Sequence, residues 1–115
     1  MTDPFQKWNV WPVPHAFDAL ADPRRRAMLE ALAVRERSVG ELAELLELRQ
    51  PATSKHLAVL REAGLVADRH EGRHRIYRLV PEPLVEVDDW LTPFREAWSR
   101  HFDALAAHLD AMEDP

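Results

Sequence analysis

The sequence predicts a mainly α-helical fold carrying one β-hairpin, and three observations predict it. Apolar residues recur at three- and four-residue steps between residues 15 and 63, and again between 84 and 112. Between those stretches, around Gly72, the apolar period changes to that of a strand. Helix-start signals stand ahead of the early apolar runs: Asp22-Pro23, Ser38-Val39-Gly40-Glu41 and Pro51.

Each element follows from its residues. Residues 1–14 hold Pro4, Pro12 and Pro14 and read as an irregular arm, because proline removes a backbone donor and disfavours helix before it. Phe5, Trp8 and Trp11 are too apolar for a free tail, so the arm is expected to dock on the domain or on a second subunit. Phe17 and Leu20 place a helix at 14–20. Asp22 as N-cap and Pro23 at the first helical position open another at 23–33, with Met28, Leu29 and Leu32 inward. Ser38 and Glu41 form a capping box for a helix at 39–46 that buries Val39, Leu42 and Leu45 or Leu46. Leu48-Arg49-Gln50 then turns the chain, Pro51 starts a helix, and Ala52 to Ala63 run with Leu57 and Leu60 inward until Gly64 caps the end. Two short helices joined by a few residues make a helix-turn-helix.

Strands follow at 66–70 and 73–79, joined by Glu71-Gly72 as a two-residue loop, and Pro81 and Pro83 end the hairpin. The last third is a stripe of Leu84, Val87, Leu91, Phe94, Trp98, Phe102, Leu105, Leu109 and Met112. Thr92-Pro93 divides it into helices at about 83–91 and 93–112. The second of these spans about 30 Å at 1.5 Å per residue, more than a small core needs to cover. Its surplus is expected to face the same helix of a second chain, with Leu91, Phe94, Trp98, Phe102, Leu105 and Leu109 as the dimer interface. The fold class is therefore a winged helix-turn-helix of about five to six helices dimerising through terminal helices. Its parts are an arm at 1–14, the winged helix-turn-helix at 15–80 and dimerisation helices at 81–112 in the same compact domain.

Composition narrows the function. A chain of 115 residues holds one compact domain and excludes a two-domain enzyme. No stretch approaches the roughly 18–20 apolar residues of a membrane span, and the first residues lack the pattern of an export signal, so a cytoplasmic location is expected. Without cysteine there is no disulfide, no thiolate nucleophile and no Cys-ligated metal. The net charge of −5 is uneven. Residues 49–78 hold seven basic side chains against three acidic ones, +4, which leaves −9 for the remainder. A basic segment within an acidic chain suits a protein with one face on phosphate and the rest repelled by it.

The stretches Phe17-Asp18-Ala19-Leu20-Ala21-Asp22-Pro23-Arg24-Arg25, Gln50-Pro51-Ala52-Thr53-Ser54-Lys55-His56-Leu57 and Leu60-Arg61-Glu62-Ala63-Gly64-Leu65-Val66 closely resemble the ArsR-type family of bacterial winged-helix transcriptional repressors. Residues 15–80 carry the match, and the run Asp89-Trp90-Leu91 with Phe94-Arg95-Glu96-Ala97-Trp98 looks like the branch without obvious metal sensing. The resemblance implies a homodimer that binds a partly palindromic operator in double-stranded DNA and blocks transcription, often of its own operon. It also singles out Ser54 and His56 for base or phosphate contacts. Independently, a helix N-terminus offers unpaired amides and a positive dipole end to phosphate. Gln50, Thr53, Ser54, Lys55 and His56 form the polar end of the 51–63 helix, while Arg73 and Arg75 on the second wing strand share a face with Tyr77 and are expected at DNA, the wing tip at His70 to Arg73 lying along the backbone or reaching the minor groove. Arg24, Arg25 and Arg26 stand at a helix start, where cations are disfavoured, so a partner is expected, with Glu30 one turn beyond Arg26 the first choice.

Alternatives have their own residues. His101 and His108 lie on one face of the last helix, and a dimer would bring four histidines together, which makes a metal-responsive repressor the nearest rival; the flanking carboxylates do not match the family's sites, and no metal is expected. A winged helix used only for protein contact is a second rival, which the local +4 opposes. Trp8, Trp11, Trp90 and Trp98 leave room for an organic effector of unknown identity. No nucleophile, base and orienting carboxylate fall together, so neither catalysis nor a cofactor is expected.

Overall fold

In a computed structural model the residues described are 16–113, so the arm at 1–14 lies outside them. The elements run α1 (Ala16–Ala19), α2 (Pro23–Val34), β1 (Arg37–Ser38), α3 (Val39–Leu46), α4 (Gln50–Glu62), β2 (Val66–Glu71), β3 (His74–Leu79) and α5 (Glu82–Glu113). This is a winged helix-turn-helix of five helices and a three-stranded antiparallel sheet in the order β1-β3-β2. The described residues up to Leu84 form one compact unit, and those from Val85 form a second.

The first unit closes on Met28, Leu29 and Leu32 of α2, Leu42 of α3, Leu57 and Leu60 of α4, Leu65 before the wing, Val66 of β2 and Tyr77 of β3, all buried. Burying each of the larger aliphatic side chains contributes about 1.5–3 kcal/mol. Helix ends are set locally. Asp22 accepts from the Arg24 amide at 2.7 Å with Pro23 following. The Ser38 hydroxyl accepts from the Glu41 amide while Glu41 accepts from the Ser38 amide, the reciprocal box the sequence predicts.

Both helices of the pair end in the same motif. At α4 the Leu65 amide donates to Leu60 O and the Gly64 amide to Arg61 O, with Gly64 left-handed at φ 78°. At α3 the Leu48 amide donates to Ala43 O and the Glu47 amide to Glu44 O, but the left-handed residue is Glu47 at φ 57°. Because the left-handed region costs a side-chain-bearing residue roughly 1–2 kcal/mol, the turn between the helices carries strain that the turn into the wing avoids.

Three sequence expectations need correcting. Gly72 and Arg73, not Glu71 and Gly72, are the central hairpin residues, because Glu71 pairs with His74 and only Gly72 has positive φ, 63°. A short third strand, β1, pairs Arg37 with Tyr77 and Ser38 with Ile76. Finally, α5 is one helix of 32 residues, about 48 Å long, and not two divided at Pro93. Proline removes the backbone donor that would serve Asp89 O, yet the helix continues; Arg95, from the turn beyond, donates to Asp88 O at 2.7 Å and to the Asp88 carboxylate, and the Thr92 hydroxyl also faces Asp88 O, contacts that tie the turn before Pro93 to the turn after it. No helix among the described residues is long and apolar enough to cross a membrane.

Candidate nucleic-acid interface

α4 enters from Arg49, an N-cap without any side-chain hydrogen bond to the helix, and Pro51 stands in the first turn. The helix N-terminus therefore keeps open amides at its positive dipole end. Gln50, Ser54 and Lys55 are exposed around that end, and among the described residues neither Ser54 nor Lys55 has a side-chain partner. Thr53 does not belong with them. It is fully buried, and its hydroxyl donates to Arg49 O at 3.0 Å, so the helical repeat that exposes Ser54 turns Thr53 inward beside Leu57.

His56 is half-buried and points at the α1–α2 corner, where Arg25 Nη1 stands 3.4 Å from its Nδ1. Arg25 also donates to Ala19 O at 2.7 Å and Asp18 O at 3.1 Å, and Arg26 donates to Leu20 O at 2.6 Å. The basic run thus finds its partners in the carbonyls that end α1 and in Asp22, which pairs with Arg24, rather than in Glu30. The hydrogen bond from Arg24 holds the Asp22 carboxyl down to about 2. The run was legible in the sequence, but short α1 leaves carbonyls whose need for donors no side-chain pattern reveals.

The wing divides its cations. Asp68 on β2, 16% exposed, lies 3.1 Å from Arg75 and 3.6 Å from Arg61 of α4, and Arg75 also stands 3.3 Å from His70 Nε2. Arg75, expected at phosphate, is tied to this cross-strand carboxylate, because Asp68 and Arg75 lie on one face of the twisted hairpin. Arg69 pairs with Glu36 and Glu71. Arg73, placed by the sequence on a strand, sits in the loop itself, exposed and without an ion pair among the described residues. Of the seven basic residues at 49–78, those without an ion pair among the described residues are Arg49, Lys55, Arg73 and Arg78, a set sequence reasoning could not separate from the rest. Among them Arg49 stands at the N-cap of α4, Lys55 on α4 itself and Arg73 at the wing tip.

The apolar stripe of α5 is exposed from Phe94 (41%) through Trp98, Phe102, Leu105 and Leu109 to Met112 (68%), with Leu91 half-buried and the Trp90 and Phe94 rings 4.7 Å apart at a tilt of 46°. His101 and His108 are exposed on the same helix, and among the described residues no three potential metal ligands converge.

Comparison with known proteins agrees with this geometry. Residues 22–68 match the sequence profile described as "Bacterial regulatory protein, arsR family", and the HTH-type transcriptional regulator Rv2034 of Mycobacterium tuberculosis is 42% identical over 99 residues, 86% of this chain and 90% of the relative. The chain belongs to the arsR family. Transcriptional repressor SdpR of Bacillus subtilis is 30% identical over 70% of this chain and 89% of its own. The crystal structure of the ArsR family transcriptional regulator RHA00566 superposes with a TM-score of 0.64 at 36% identity, over 72% of this chain and 91% of that one. This arsR-family protein is accordingly a DNA-binding transcriptional regulator and not an enzyme.

Proposed function

We propose that this regulator is a cytoplasmic, sequence-specific repressor that binds a partly palindromic operator as a homodimer and controls its own transcription. The observation that carries the reading is the presence, on one compact unit, of an uncapped, polar α4 N-terminus and a wing tip whose Arg73 has no ion pair among the described residues. Gln50, Ser54 and His56 are the base-reading candidates, and Lys55 and Arg73 the phosphate ones. The exposed stripe of α5 supports a second copy as its cover, since a run of large apolar side chains on one face is costly in water. A symmetric dimer then reads half-sites about 34 Å apart or a multiple of that. Occupying such a site excludes the transcription machinery, and a chain without cysteine gives arsenite no ligand. Release therefore falls to an organic ligand, a protein partner or simple dilution.

The experiment is footprinting of the purified protein on its own upstream region, with Ser54→Ala/His56→Ala as the comparison. The double variant should retain its helicity and dimer while losing at least about tenfold in specific affinity. Unaltered protection by the folded variant refutes the assignment.

A further inference from the structure

Arginine has only donors, so a guanidinium beside an imidazole nitrogen requires that nitrogen to be bare. Arg25 is held at that task by backbone: Nε donates to Ala19 O at 2.7 Å and Nη2 to Asp18 O at 3.1 Å, which aims Nη1 at His56 Nδ1, 3.4 Å away. Among the described residues nothing bonds the other ring nitrogen, Nε2. We propose that Arg25 is a positioning residue that fixes His56 in its neutral Nε2–H tautomer, so that α4 presents the operator with an oriented N–H donor that reads a hydrogen-bond acceptor. The proposal rests on α4 being the DNA-reading helix.

The charges around the ring favour the same state. Burial pushes the His56 pKa below its ordinary 6.5; the Asp22 carboxylate pulls the other way, and Arg24 and Arg25 push it down again. A neutral donor selects base-edge acceptors such as guanine N7 or O6, or a phosphate oxygen, without releasing a counterion as a cation would. A fixed donor also rejects an adenine amino group or a cytosine amino group at that position, because two donors then face each other.

The test uses the full-length protein and a duplex that the wild type selects from a random-sequence pool. In ring-nitrogen NMR of histidine-labelled wild type, the His56 proton should reside on Nε2 and Nδ1 should be bare, free and on DNA; a proton on Nδ1 overturns the proposal and needs no variant to do so. Arg25→Met should spread the proton over both nitrogens, raise the ring pKa and lower affinity for the selected duplex about fivefold, with affinity for a scrambled duplex unchanged. Equal losses on both duplexes would make Arg25 a phosphate contact and overturn its positioning role. Operators carrying single 7-deazapurines, single bases lacking the major-groove oxygen (2-aminopurine for guanine, 5-methyl-2-pyrimidinone for thymine), or single methylphosphonates, separate the acceptor's sources. The substitution that weakens wild type but not His56→Ala marks the acceptor, and if none does, the donor role is overturned. Failure of the wild type to select any duplex would remove the DNA-reading premise itself, a result distinct from a misplaced proton.

Discussion

Arg73→Ala isolates the wing's contribution to binding. Arg73 occupies the hairpin loop, exposed and without an ion pair among the described residues, so its removal leaves the sheet register from Val66–Leu79 to Glu71–His74 intact. Stability should change by less than about 0.5 kcal/mol, as for a surface site that makes no structural contact. In the proposed complex the same side chain neutralises one phosphate, and each such contact contributes about 0.9 to the slope of log K against log salt. A homodimer carries the substitution twice, so the slope should flatten by about 1.8. Between 50 and 200 mM salt, a fourfold range, the wild-type advantage should then shrink by about twelvefold. Fluorescence anisotropy on specific and scrambled duplexes across that range measures both. An unchanged slope, or a loss confined to the specific duplex, refutes the phosphate assignment. Arg75→Ala provides the contrast: it deprives half-buried Asp68 of its nearer cation, so thermal stability should fall before the salt slope moves.

Other outcomes follow from particular contacts. Trp98→Asp places a charge in the α5 stripe, and sedimentation equilibrium should show a monomer at micromolar concentration; a persisting dimer refutes that interface. Asp22 titrates near 2 in the fold against an ordinary 3.8, so the stability it contributes is complete above 3.8 and is lost as pH falls through about 2. Asp22→Asn keeps a cap acceptor and should show a shallower acid-denaturation profile in that window, whereas identical profiles would deny the ion pair its role. Glu47→Gly relieves the left-handed turn between α3 and α4 and should raise stability by about 0.5–1 kcal/mol in urea unfolding, where a decrease would refute the strain.

Helices whose starts are written in side chains were legible: Asp22-Pro23 and the Ser38–Glu41 box fix α2 and α3 within a residue. The two long wing strands were legible for the same reason, since alternation around Gly72 requires only local pattern. β1 was not, because two residues are too few to show a period and only pairing with Ile76 and Tyr77 makes them a strand. Pro93 misled because its effect depends on the contacts around it, and Arg95, two residues beyond, reaches back to Asp88 in the preceding turn. In the candidate interface, the residue types on α4 were readable, but Thr53 is separated from Ser54 by helical phase, and Arg75 from Arg73 by a carboxylate on the opposite strand. Arg25's link to His56 spans 31 positions, beyond any local pattern.

Ser38 belongs to two elements at once: it is the last residue of β1, opposite Ile76, and the N-cap whose hydroxyl starts α3. The hairpin and the helix pair therefore share a joint with no slack. A single inserted residue between Arg37 and Val39 would rotate one against the other, since a strand slipped by one position turns its side chains to the opposite face. The loop at Gly72 and Arg73 touches no second element among the described residues: a side chain added at Gly72 meets nothing within 4 Å, and the only local demand is the positive φ that favours glycine there. Wing length is thus free to vary at its tip while its root stays locked to the start of α3, so reach toward the operator can be retuned without disturbing the angle at which α4 is offered.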